Sequence, residues 1–198
     1  MSRDAGDSVQ LVRRRFEEST AVIRAAGERL ADRIVEAADV IVAALRGGGG
    51  VFLFGNGGSA ADAQHIAGEL VGRLLKERPA MRAEALSTDT SVLTCIANDY
   101  GFEQVFARQL AGKARRGDVA VALSTSGESP NVAAALAEAR RIGMKTVALT
   151  GAGGGKCAEL ADVLLDVPAD GPSMRVQEAH AVIYHTLCEL VEAALADG

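Results

Sequence analysis

Residues 51–73 read VFLFGNGGSAADAQHIAGELVGR. The first four are aliphatic and aromatic at the density of a buried strand. Gly55, Gly57 and Gly58 follow at once, and a helix-forming run begins behind them, so the stretch predicts strand, glycine loop, helix. Ser59 falls where that helix starts, and its hydroxyl and the free N–H groups of the first turn converge on one point that favours an anion. Asp62, His65, Glu69 and Arg73 come next at spacings of three or four. That spacing lines an acid, an imidazole, an acid and a guanidinium along one helix face. A phosphate cradle therefore leads directly into a titratable stripe.

The same grammar recurs downstream. A short strand is predicted over 82–86, then a capping run at 87–90 opening a helix over 91–97, a turn at 98–101 and a helix over 102–114. A compact apolar strand at 118–123 runs into the loop STSGES (124–129), with Pro130 behind it and an alanine-rich helix over 131–142. Strands at 145–149 and 162–167 and a long helix over 174–195 complete the pattern. Strands alternating with helices at this spacing predict right-handed crossovers and a three-layer α/β/α fold on a five-stranded parallel sheet. Ligands of such sheets bind beyond the carboxyl ends of the strands, where the loops at 55–59 and 124–129 must both lie. Upstream, residues 9–46 are proline-free with apolar residues at helical spacing, and predict two amphipathic helices breaking near Gly27, with a glycine hinge at 47–50. The division expected is one domain over 1–198, with a helical segment at 1–46 used in self-association and an α/β core at 50–198.

Composition excludes several classes. The 198 residues carry 21 basic and 26 acidic side chains, a net charge of −5, and only 4% aromatics, with the basic residues scattered among acids. Nothing there suggests nucleic-acid binding. Mean hydropathy is +0.14, yet no stretch approaches the roughly 20 uncharged apolar residues of a bilayer span. The first 20 residues have no apolar core of a signal peptide, so no membrane association and a cytoplasmic location are expected. Cys95, Cys157 and Cys188 are odd in number and without metal-type spacing, which argues for a reducing compartment.

Three glycine-rich motifs compete. Residues 55–60 fit G-x-G-x-x-A, but the acid that a dinucleotide site needs at the end of the second strand is replaced by Leu86 and Ser87. GAGGGKC at 151–157 is one residue short of a P-loop and has Cys157 where the magnesium-binding hydroxyl belongs; a flexible connection with Lys156 in solvent is expected instead. The loop at 124–129 has four hydroxyls in six residues between a strand and a helix start, more than turn chemistry needs, and hydroxyls with backbone N–H groups can surround a phosphate monoester. His65 and Glu69, at i and i+4, suit either a metal-ligand pair or an acid-base pair. In the last helix, His180 and His185 are about 140° apart around the axis while Gln177 and His185 differ by about 80°. Geometry alone leaves the choice of histidine open.

FGNGGSAADAQHIAGEL, ANDYGFEQVFARQL, STSGESPNV, ALTG and RVQEAHAVIYH together resemble the phosphoheptose isomerases of the SIS (sugar isomerase) domain superfamily, in order and over nearly the whole chain. The resemblance implies an aldose-ketose isomerase converting sedoheptulose 7-phosphate to D-glycero-D-manno-heptose 7-phosphate through an enediol, the first step of nucleotide-activated heptose biosynthesis. It implies a sugar-phosphate site of Asn56, Gly57, Gly58, Ser59, Asn98, Asp99, Ser124, Thr125, Ser126, Ser129 and Gln177. It also implies one zinc per subunit on His65, Glu69, Gln177 and His185, with Glu69 as base and His185 as acid, and a homotetramer. Two departures stand out: Met174 occupies a position often polar or acidic, and Glu128 one commonly held by asparagine. Two alternatives are carried. One is a noncatalytic SIS-domain binding protein like the DnaA initiator-associating protein, in which the terminal histidine is replaced; the other is an isomerase of a different sugar phosphate.

Overall fold

Strands β1 (Val51–Gly55), β2 (Ala83–Ala85), β3 (Val119–Ser124), β4 (Lys145–Thr150) and β5 (Val163–Asp166) form one all-parallel sheet in the order β2-β1-β3-β4-β5. This computed structural model describes residues 5–169 and 171–196. Among these residues seven α-helices flank the sheet: α1 (Ala5–Arg46), α2 (Gly58–Val71), α3 (Thr90–Tyr100), α4 (Ala107–Lys113), α5 (Pro130–Ile142), α6 (Gly155–Ala158) and α7 (Ser173–Ala196). The expected three-layer fold is thus present.

The apolar strands are continuous because both faces are covered. Alternate side chains serve opposite cores. Val51, Leu53, Val121, Leu123, Val147, Leu149 and Leu165 pack against α1, α2 and α7. Phe52, Phe54, Ala120, Ala122 and Ala148 pack against the α3–α6 layer, where Phe54 and Phe106 stack with centroids 5.5 Å apart.

Several element boundaries differ from expectation. α1 is one helix of 42 residues that runs through Gly27. A helical glycine costs about 1 kcal/mol relative to alanine, but partly buried Val22 and Ile23 and buried Ala26 before it, and buried Leu30, Ile34, Ala37, Ala38 and Ile41 after it, pack on one core, and that packing outweighs a local propensity. The turn expected at 98–101 is still helix up to Tyr100; Gly101, at φ 88°, stops α3, and the predicted helix behind it divides into a 3-10 turn (Phe102–Gln104) and α4. The capping run does what it predicts: the Asp89 side chain accepts from the Val92 N–H at 2.9 Å. The glycine run at 151–155 is not a loose connection. Gly153, Gly154 and Gly155 all adopt positive φ and turn the chain into α6.

Buried ionic groups fix the pole away from the strands' carboxyl ends. Asp118 accepts from the N–H groups of Gly50 and Arg115, both at 2.8 Å, and from Arg82 at 3.0 Å. Glu192 of α7, 2% exposed, accepts from the N–H groups of Leu74, Leu75 and Lys76 at 2.9, 2.7 and 2.8 Å. It also faces Arg78 Nε at 3.4 Å, and the Arg78 guanidinium in turn donates to the carbonyls of Glu69 and Leu70 at the end of α2. Burial pushes the Glu192 carboxyl up, but the three N–H groups and Arg78 more than reverse it and hold it below its ordinary value. Among the described residues, no helix is long and apolar enough to cross a membrane.

Candidate active site

The sheet order reverses direction between β1 and β3, and the loops leaving these two strands meet at that switch point. Gly55 lies so close to β3 that a Cβ there would sit 2.7 Å from the Leu123 carbonyl oxygen and 2.8 Å from the Ser59 side chain. Only a glycine permits this approach. Ser59 is consequently buried in the first turn of α2. Across from it, Ser124 Oγ and Ser129 Oγ are 3.1 Å apart, Ser126 Oγ accepts from the Glu128 N–H at 3.2 Å, and Thr125 is half-buried between them. Two helix N-termini, those of α2 and α5, thus open beside a cluster of hydroxyls, an arrangement that neutralises an anion without any arginine.

The second hydroxyl loop is braced from behind. Gly127, at φ 68°, packs so tightly on the β4–α6 loop that a Cβ would lie 2.1 Å from the Gly154 carbonyl oxygen, and its own carbonyl accepts from the Cys157 N–H at 3.1 Å. Glu128 turns toward α6: its carboxylate accepts from the Lys156 N–H at 3.2 Å and pairs with Lys156 Nζ at 3.3 Å. The departure at position 128 therefore carries its own counter-ion.

α2 and α7 lie side by side and in the same direction, which brings the titratable stripe against the last helix. His65 Nε2 is 3.1 Å from Glu69 Oε1 and 3.3 Å from His185 Nε2. One donor atom from each of these three residues falls within 4.8 Å of the others. His185 Nδ1 is 2.7 Å from the Ala181 carbonyl. A carbonyl can only accept, so Nδ1 carries the proton and a neutral His185 presents the Nε2 lone pair to the cluster. That is the tautomer a metal needs, fixed by the kind of backbone contact that commonly holds metal-ligating histidines. Two imidazole nitrogens and a carboxylate converging this closely fit a borderline cation such as zinc.

Gln177, one turn into α7, donates from Nε2 to Asp62 Oδ2 at 3.0 Å. It also lies against the start of α2, where a Cβ on Gly58 would come within 2.4 Å of Nε2 and 2.5 Å of Oε1. With its nitrogen committed to Asp62, the amide has its oxygen left to offer a metal or a hydroxyl. Burial pushes the Asp62 carboxyl above its ordinary value, against the hydrogen bond from Gln177 that holds it down. The Tyr184 ring packs on those of His65 and His185, with centroids 5.5 and 4.7 Å away.

Other predicted residues fall elsewhere. Arg73 lies beyond the end of α2 and faces Glu77 at 3.7 Å, outside the cluster. His180 is fully buried on the other side of α7, with Nε2 3.1 Å from the Thr150 carbonyl; desolvation lowers its pKa to about 4, and it plays a packing part. Asn98 and Asp99, at the exposed end of α3, bond to each other at 2.8 Å. Met174 is exposed in the first turn of α7. Sequence reasoning missed Tyr184, although its position next to His185 was a usable signal, and it missed Asn131. The side chain of Asn131 exchanges two hydrogen bonds with that of Asn56, both at 2.8 Å.

Comparison with known proteins agrees with this geometry. Residues 15–151 match the SIS domain family. Over 184 residues the chain is 50% identical to a phosphoheptose isomerase of Aquifex aeolicus, covering 93% of this chain and 96% of that one. Among solved structures, phosphoheptose isomerase GmhA from Neisseria gonorrhoeae superposes with a TM-score of 0.88 at 42% identity, covering 93% of this chain and 98% of that one. A phosphoheptose isomerase from Francisella tularensis superposes with a TM-score of 0.90 at 35% identity, over 94% and 98% of the two chains. Fold, motifs and these likenesses together make the chain a member of the SIS domain family and, within it, of the phosphoheptose isomerases.

Proposed function

We propose that the protein isomerises sedoheptulose 7-phosphate to D-glycero-D-manno-heptose 7-phosphate, at the entry to heptose biosynthesis. The observation that carries this reading is the convergence of a carboxylate and two imidazoles beside an arginine-free phosphate cradle. Ser59, Ser124, Thr125, Ser126 and Ser129 bind the phosphate at the α2 and α5 N-termini, and Asn56, Gly57 and Gly58 present backbone and amide groups at its edge. Asn98 and Asp99 belong to the same substrate-binding set.

An aldose-ketose isomerisation takes a proton from the carbon beside a carbonyl and returns one to its neighbour. Glu69 is the base: its carboxylate removes the proton from C1 of the ketose, the electron pair forms the C1–C2 double bond of the enediol, and the carbonyl oxygen takes up a proton. Return of a proton to C2 as the C1 hydroxyl becomes a carbonyl gives the aldose. With Nδ1 bound to Ala181, Nε2 is the one working atom of His185. It serves either as acid toward the oxygen or as a ligand, and the two uses exclude each other at any instant. His65, Glu69, His185 and the Gln177 oxygen would hold one zinc per subunit, which when bound supplies a Lewis acid that polarises the carbonyl.

The chain assembles as a homotetramer in this reading. Val9, Val12 and Phe16, on the part of α1 that extends past the body, are 52%, 56% and 73% exposed and form the apolar face such an assembly would cover. The 1–46 segment is thus the oligomerisation element and 50–198 the catalytic core. A reducing cytoplasm suits the three unpaired thiols. The test is incubation of purified protein with zinc and sedoheptulose 7-phosphate in deuterated water. Aldose bearing deuterium at C2 is expected; phosphate binding without turnover would favour a binding protein instead.

A further inference from the structure

Asn56 and Asn131 stand on different arms of the cradle. Asn56 lies in the β1–α2 loop, and its carbonyl accepts the Ser59 N–H at 3.0 Å. Asn131 is the second residue of α5, directly behind Ser129 and Pro130, and is 3% exposed. Each side-chain amide donates its N–H to the other's oxygen at 2.8 Å, closing a reciprocal pair. A paired amide of this kind has one relative orientation, because both donors and both acceptors must be matched at once. Buried beside two helix starts, an unmatched amide would be strongly unfavourable.

We propose that Asn131 is a positioning residue for phosphate recognition, acting through Asn56 to set the separation of the two hydroxyl-bearing helix N-termini. The inference rests on the phosphate reading of these loops. Parallel pairing of β1 with β3 places the strand ends side by side, but it leaves the loops beyond them free to splay, since each turns into its own helix. The amide pair bridges them just past that point, with Ser59 three residues beyond Asn56 and Ser129 two residues before Asn131. A monoester phosphate that takes hydroxyls and N–H groups from both arms needs them at a fixed spacing, because hydrogen bonds weaken steeply outside a narrow range of distance and angle. Among the described residues the Asn131 side chain is hydrogen-bonded to Asn56 and not to His65, Glu69 or His185, so it acts on binding and not on proton transfer.

The experiment is a double-mutant cycle of Asn56→Ala and Asn131→Ala, read as the dissociation constant for inorganic phosphate and as KM against kcat for the sugar phosphate. Asn131→Ala is expected to weaken phosphate binding and raise KM by roughly 10-fold, Asn56→Ala by at least as much, and the double variant by no more than Asn56→Ala alone, because residues acting as one unit are non-additive. In the Asn131 variants the kcat at saturation should stay within a few-fold of the wild type. Asn131→Asp preserves the shape but opposes a carboxylate oxygen to the Asn56 oxygen; it carries the test if the alanine variant does not fold, and should show the same loss. Phosphate affinity within twofold of wild type in folded Asn131 variants, or single losses that multiply in the double variant, would overturn the proposal. Failure of the wild-type protein to bind phosphate would instead overturn the reading on which it rests.

Discussion

Replacing Gly58 with alanine should separate the working site from the fold. Gly58 has no unusual backbone angle, so alanine fits the local chain and, in the first turn of α2, improves helix propensity by up to about 1 kcal/mol. Its Cβ, however, would fall 2.4 and 2.5 Å from the two polar atoms of the Gln177 amide. A flexible side-chain tip yields to such a contact, so Gln177 swings away and its 3.0 Å bond to Asp62 breaks. A hydrogen bond to a charged group contributes about 1.5–3 kcal/mol, which corresponds to roughly 10- to 100-fold in kcat/KM if the Gln177 oxygen serves the metal or substrate. Set against the helix gain, the lost bond leaves a net cost of about 0.5–2 kcal/mol, so the melting temperature should fall by roughly 1–8 °C for a chain of this size and the protein should stay folded. Steady-state kinetics and zinc titration, with thermal melting alongside, make the measurement. Gly68→Ala is the control, because nothing lies within 4 Å of a Cβ at that position of the same helix. Wild-type kcat/KM and zinc affinity in Gly58→Ala would refute the placement of Gln177, and a protein that fails to fold would refute the steric reasoning.

Removing the carboxylate with Glu192→Gln should destabilise the fold by about 3–5 kcal/mol, since it leaves buried Arg78 without its counter-charge; thermal melting at neutral pH reads this as a fall of roughly 10 °C. The Glu192 carboxyl is held below its ordinary value, so its contribution is present above about pH 4.5 and lost as pH falls through the lower folded-state value. His180 acts in a higher window: with its pKa lowered from 6.5 to about 4, it stays neutral in the fold while the unfolded chain takes up a proton. Stability should therefore fall by roughly 1.4 kcal/mol per unit from pH 6.5 down to 4, and urea titrations of His180→Gln should show a shallower slope there. Lys156→Met removes the partner of Glu128; as the pair is largely exposed, phosphate binding should weaken only about two- to fivefold at low salt and recover in Glu128→Gln/Lys156→Met.

The strand, glycine loop and helix at 51–73 were legible because each rests on local signals: apolar density, glycine punctuation and helical spacing. The parallel sheet followed from their repetition, and the phosphate loops from hydroxyl density at helix starts. Gly27 misled because glycine is a local breaker, whereas α1 is held by a stripe of tertiary contacts running past it. Which histidine of the last helix enters the site could not be read from spacing alone. His180 and His185 are both helical, and only the packing of α7 on β4 and α2 shows that one meets the Thr150 carbonyl and the other meets His65. Arg78 and Glu192 are 114 residues apart and each looks like an ordinary surface charge. Asn131 read only as the first residue of a helix, because nothing local says that its partner is Asn56. Asp62 and Arg73 looked equivalent as outer members of one stripe, yet Asp62 holds Gln177 while Arg73 lies past the helix end.

In the proposed mechanism Glu69 moves the carbon-bound proton. In deuterated water, the wild-type protein should convert sedoheptulose 7-phosphate to aldose with deuterium at C2, while Glu69→Gln, folded and still binding phosphate, should lose at least about 100-fold in both turnover and deuterium uptake. Turnover and C2 labelling at the wild-type rate in Glu69→Gln would contradict it.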